Sequence, residues 1–134
     1  MSRISRAFRV LLVLWAGSLW SLALFVLPTL FHAQHDAPLA GMLAGRLFSI
    51  EAYLGLATAV IALLLPGRTK FLWGYAAAGL LAIVQWVIGP RMVAAHLHGL
   101  AWGLAFGAWH GIAALLYGCA CIVTTLLIWD YDFR

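Results

Sequence analysis

Arg46 and Glu51 lie inside a long apolar stretch running from about Ala40 to Leu65, and their chemistry needs an account before any other. An ionisable side chain in hydrocarbon costs about 3 kcal/mol or more without a partner, so it marks a candidate functional position. Arg46 is near enough to one end of the stretch to snorkel toward headgroups, whereas Glu51 is deeper. Five residues apart on a helix turns the two side chains about 140° from each other, so they do not form the favoured i,i+4 pair. Glu51 therefore needs a partner from another helix, and Gln85, Arg91 and His110 fall toward the same half of the membrane. A carboxylate paired with a histidine there can relay a proton or bind a cation. A glutamate merely hydrogen-bonded to a neighbouring Gln, His or Trp orders a bundle without moving anything, and this is the more economical of the two readings. Arg91, beside Pro90, either snorkels or neutralises Glu51.

All five histidines, His32, His35, His96, His98 and His110, map to one side of the chain's expected topology. A periplasm-facing copper or zinc site would need such an arrangement. No Cys or Met cluster joins them, so His32, His35, His96 and His98 make a metal site the weakest of the readings. A haem would need two axial histidines facing each other from different helices, and only His110 is clearly within a span. No cofactor is expected. Cys119 and Cys121 are about 200° apart on a helix and read as packing residues. There is no phosphate-binding glycine loop, nucleophile elbow or zinc-protease motif, so the chain is not expected to be an enzyme.

The elements that must position these residues follow from composition. Of 134 residues only 9% are charged and 66% are hydrophobic, and mean hydropathy is +1.02, whereas a soluble domain carries about 25% charged residues. A span takes about 20 apolar residues, so the chain has room for four spans in one transmembrane domain over 1–134. The expected class is an all-α integral membrane four-helix bundle with helices at about 8–31, 40–65, 71–88 and 105–128. Pro66-Gly67 and Gly89-Pro90-Arg91 are read as stops. The stretch ahead of helix four, about 97–106, reads as an interfacial or early-starting piece of it.

The net charge of +4 is dispersed, and no stacking motif accompanies it, which argues against nucleic acid. Arg3, Arg6, Arg9, Arg68, Lys70 and Arg134 outnumber Arg46 and Arg91 across the expected topology, so the positive-inside rule puts both termini in the cytoplasm. Trp15, Trp73, Trp86, Trp109 and Trp129 fall near some expected span ends as interfacial anchors would. Gly99, Gly103, Gly107 and Gly111 recur every fourth residue, and Gly41 and Gly45 form a second pair. Small residues at this spacing let helices approach closely in lipid, either within the chain or in a homo-oligomer.

Several segments resemble one family. Trp15-Ala16-Gly17-Ser18-Leu19-Trp20 with Leu27-Pro28-Thr29-Leu30-Phe31 is similar to the first helix of bacterial domain-of-unknown-function proteins related to eukaryotic transmembrane protein 205. Ala40-Gly41-Met42-Leu43-Ala44-Gly45-Arg46-Leu47-Phe48 resembles the start of that family's second helix. Gly89-Pro90-Arg91-Met92 resembles the end of its third, and His110-Gly111-Ile112-Ala113-Ala114-Leu115-Leu116-Tyr117 part of its fourth. The resemblance implies a four-helix membrane protein with Pro28, Phe31, Gly41, Gly45, Phe48, Pro90, Arg91 and His110 as positions of interest. It implies an association with resistance, hence transport or trafficking, without a defined reaction. Ala113 and Ala114 depart from the family's hydroxyl residues after His110. The expectation is a multi-pass protein of the bacterial inner membrane concerned with transport or stress. A non-catalytic subunit of a larger membrane complex, or a homo-oligomer, is the alternative.

Overall fold

A computed structural model describes residues 3–65 and 71–130. Helix α1 (Arg3–Ser21) continues through a π-turn at Leu22–Val26 into α2 (Leu27–Ala33). Helix α3 covers Ala37–Leu64. Helix α4 (Leu72–Ile83) passes through a second π-turn, Val84–Ile88, into α5 (Gly89–His98), and α6 covers Phe106–Asp130. Four stretches are long and apolar enough to cross a membrane: Arg6–Ala33, Leu39–Leu64, Leu72–His98 and Phe106–Trp129. The protein is an all-α, four-span helical bundle of the membrane type. Spans one and three run in one direction and spans two and four in the other. The end holding Gln34 and the 99–105 loop is called distal below, and the end holding Arg3 proximal.

Proline shapes the odd-numbered spans. Pro28 and Pro90 each lack an N–H and would press their rings on the carbonyl four residues earlier. Just ahead of each, the ladder widens: the Leu27 N–H bonds to Leu22 O, and the Gly89 N–H to Val84 O, five residues back. This π-register lets each proline ride in a continuous helix. Gly89-Pro90-Arg91 therefore does not end span three, which runs on to His98. Span two opens at Asp36, whose side chain accepts from the Leu39 N–H at 3.2 Å, filling one of the orphan donors of the first turn.

The expected early start of helix four is corrected. Gly99 ends α5 at φ +86°, its N–H bonding to Ala95 O at 2.8 Å. Ala101 and Leu104 exchange backbone hydrogen bonds at 2.9 and 3.0 Å around Trp102 (φ 52°) and Gly103 (φ 76°). Positive φ at both central positions defines a tight hairpin-type turn, so residues 99–105 are a folded loop. Gly99 and Gly103 serve backbone conformation and do not share a helical face with Gly107 and Gly111. Pro66 and Gly67, the expected stop of helix two, and Arg68, Lys70 and Arg134, which weigh in the charge asymmetry, lie outside the described residues.

Small residues take many of the buried positions, beside the larger Leu12, Leu19, Phe71 and Leu127. Ala40, Ala44, Ala52, Ala62, Ala77, Ala78 and Ala120 are buried, while Leu14, Leu63, Leu64 and Leu115 face outward. Lipid solvates leucine well, so association rests on close approach of small residues. Between different spans the closest approach at a glycine is at Gly55, where an added Cβ would lie 3.2 Å from the Trp15 ring and 3.3 Å from Leu81. Gly74 is likewise covered by the ring of Phe71. In contrast, Gly41, Gly45, Gly107 and Gly111 have nothing within 4 Å of an added Cβ. These four are not where the described helices pack closely on one another.

Two apolar clusters form. The proximal one draws Leu12, Trp15 and Leu19 from span one, Ala52 from span two, Phe71 and Leu81 from span three, and Tyr117 and Leu127 from span four. The distal one consists of Val84, Ile88, Ala95, Ala101, Trp109 and Ala113, all from spans three and four and the loop between them. Helix α2 buries none of its residues. The expected tryptophan anchors divide accordingly: Trp73 and Trp129 are exposed near span ends, Trp86 is exposed well inside span three, and Trp15 and Trp109 are core residues.

Candidate functional site

Glu51 is placed at the middle of span two, about 18 Å from Leu39 and about 20 Å from Leu64 by the helical rise. Its side chain is only 6% exposed. It is held there because Ala52, on the same inward arc, and Gly55, one turn on, let the first and third spans close over α3. Ser18, near the middle of span one, is its hydrogen-bond partner, with Oγ 3.1 Å from Glu51 Oε2. The same Ser18 hydroxyl donates to Trp15 O at 2.7 Å.

That double contact decides what the pair can do. A hydroxyl has one proton and can accept as well. With Glu51 ionised, Ser18 can turn its proton to Oε2. With Glu51 neutral, the carboxyl proton donates to Ser18 Oγ while Ser18 donates to Trp15 O. Partners exist for both states, and Ser18 needs only to rotate between them.

Span four completes the surroundings. Tyr117, near its centre, donates to Leu19 O at 2.8 Å and meets the Phe48 ring edge-on at 5.2 Å. Phe48 lies one turn distal to Glu51 on α3. Tyr117 and Cys121 both lie within electrostatic range of the carboxyl. The Trp15 indole N–H, on the proximal side, has no acceptor among the described residues. Farther along, Trp20 Nε1 donates to Thr125 Oγ1 at 2.9 Å, tying spans one and four.

The partners expected for Glu51 go elsewhere. The Arg91 guanidinium donates to Val87 O and lies over the Trp102 ring at 3.8 Å, with the Trp109 ring at 5.9 Å. Trp109 Nε1 in turn donates to Ala101 O at 3.0 Å. Arg91 thus pins the distal loop through cation–π contacts. Arg46 is exposed, Gln85 is half-buried in the second π-turn without a side-chain hydrogen bond among the described residues, and His110 is exposed and stacked on Phe106. The expected cluster of Arg46, Glu51, Gln85, Arg91 and His110 does not assemble: no ion pair or hydrogen bond joins its members among the described residues.

Two histidines share a ring partner: His96 and His110 each contact Phe106, with centroids at 5.6 and 6.0 Å. Among the described residues no three His, Cys, Asp or Glu side chains are grouped to hold a metal ion. His32, His35 and His98 are exposed near the distal end.

Ser18 and Tyr117 were missed in the sequence because each is unremarkable alone, a hydroxyl in an apolar helix. One available signal was depth: Ser18, Glu51 and Tyr117 all fall near the centres of their spans.

The pattern described as Domain of unknown function (DUF4149) matches residues 10–101. The chain belongs to the DUF4149 family. Within the DUF4149 region fall Ser18, Phe48 and Glu51, together with both π-turns, while Tyr117 and Cys121 follow it. Comparison with curated proteins and with solved structures gave no match.

Proposed function

We propose that this DUF4149 protein is a multi-pass protein of the bacterial inner membrane, with both termini in the cytoplasm, that works in transport through a proton-binding carboxyl at Glu51. The observation that carries this reading is the Ser18 hydroxyl between Glu51 Oε2 and Trp15 O, because it offers Glu51 a partner in either protonation state. A carboxyl held only to order a bundle needs one such state. The absence of a bonded cation for Glu51 among the described residues favours a group free to take up a proton or a small cation. No covalent chemistry enters this reading, so the protein is not an enzyme in it, and the kinship with transmembrane protein 205 belongs to the same proposal.

The test is proton uptake in proteoliposomes of the purified protein, with a pH-sensitive dye inside and an imposed gradient. Uptake is expected from the natural sequence and is expected to be lost in Glu51→Gln, with Ser18→Ala slower than the natural sequence. Equal uptake in Glu51→Gln would overturn the reading.

A second reading has its own observation. On α6, Gly107 and Gly111 face outward with open space over their backbones, which suits a helix from a second copy or from another membrane subunit. Native mass spectrometry from mild detergent separates the two: a stable hetero-complex favours the subunit reading, and a monomer argues against it.

A further inference from the structure

The two hairpins of the bundle repeat one design. Leu22–Val26 and Val84–Ile88 are both five-residue π-turns, each ending two residues before a proline, in spans that run the same way. The buried positions ahead of them correspond in order: Leu12, Trp15, Leu19 and Leu22 in span one match Gly74, Ala77, Leu81 and Val84 in span three. The two turns also lie at a similar depth. Phe8 packs on Phe71 at 5.4 Å, and Trp15 meets Gly55 where Ala78 and Leu81 do. Paired spans carrying a π-turn and a proline at corresponding positions of two like halves are the kind of place where a site near the membrane midplane is sought, and π-turns recur where helices bend in function.

The halves are joined unevenly about these turns. On the proximal side one cluster includes all four spans. On the distal side the buried cluster belongs to spans three and four and their loop alone, and α2 buries nothing. Glu51 lies near the boundary, with Phe48 against Tyr117 one turn to its distal side.

We propose that the two π-turns are paired hinges: the distal segments α2 and α5 swing about them and move farther apart, widening a distal route toward Glu51 while the proximal cluster stays closed. This rests on the transport reading above and supplies its access step. The moving parts have little to break. Beyond Leu27, Leu47 and Phe48, which pack on the edge of the four-span cluster, the distal buried cluster belongs to spans three and four and their loop, whereas on the proximal side Trp15 and Leu81 close on Gly55.

The experiment is pulsed electron–electron distance measurement in lipid nanodiscs, with spin labels at Phe31→Cys and Leu97→Cys in a Cys119→Ala, Cys121→Ala background. Two distal distance populations are expected. Pro28→Ala with Pro90→Ala restores the missing N–H groups and is expected to remove the longer population. A proximal label pair at Val10→Cys and Leu72→Cys is expected to give one distance throughout. A single narrow distal distance in the labelled protein carrying both prolines would overturn the hinge, and so would two populations that survive the double proline replacement. Each single proline variant gives a second reading should the double one fail to fold. Proteoliposome uptake separates the two proposals. Distances that respond as expected while Glu51→Gln transports normally would refute the carboxyl and leave the hinge standing. Uptake lost in Glu51→Gln with immobile distal segments would refute the hinge alone.

Discussion

At the scale of residues, the polar contacts of the bundle are few, and each has a measurable consequence. Tyr117 donates across the interface to Leu19 O, and such bonds within membranes contribute about 0.6 kcal/mol on average. Tyr117→Phe is therefore expected to lower thermal stability in detergent slightly and to leave the fold intact. Gly55 is a sharper case, since Trp15 and Leu81 are already within 3.3 Å of a would-be Cβ. Gly55→Leu is expected to cost about 1–3 kcal/mol or more through overpacking, while Gly111→Leu, in open space, is expected to cost little; parallel melting curves in detergent check both. Glu51 was legible in the sequence as the charge hardest to explain, because depth in an apolar run is a one-dimensional property. Its partner was not. The sequence pointed to Gln85, Arg91 and His110 because they are polar, but the approach of Ser18 depends on how span one rotates about its axis, and small residues such as Ala52 and Gly55 set that rotation.

At the scale of elements, proline and glycine carried meanings that short motifs do not disclose. Pro90 looked like a stop, yet the π-turn at Val84–Ile88 absorbs it, and span three gains the ten residues of α5. The fourfold glycine spacing looked like one helical stripe, yet two of its members sit in a loop at positive φ. A Cβ at such a backbone costs about 1–2 kcal/mol, so Gly103→Ala is expected to destabilise the distal loop by about that amount. The readout is faster backbone hydrogen exchange across residues 99–105, with the proximal helices unchanged. Trp102 bears the same strain without being glycine, and its stacking on Arg91 offsets it. Arg91→Gln is expected to release the loop in the same exchange measurement. Arg91 thus has an evident task in holding the loop, which explains why it does not serve Glu51.

At the scale of the whole molecule, four spans were readable from hydropathy alone, because about 20 apolar residues per crossing leaves little freedom for a chain of this length. The split of the distal half was not, since it depends on which side chains reach across the bundle. A mid-span carboxyl whose Ser18 partner can donate or accept is the feature on which the proposed function rests. Infrared difference spectroscopy of the protein in lipid, recorded across pH on the natural sequence and on Glu51→Gln, tests that most directly. A carboxylic-acid C=O band that appears and disappears with pH is expected in the natural sequence and is expected to be missing from Glu51→Gln. A spectrum with no pH-dependent band assignable to Glu51 would contradict it.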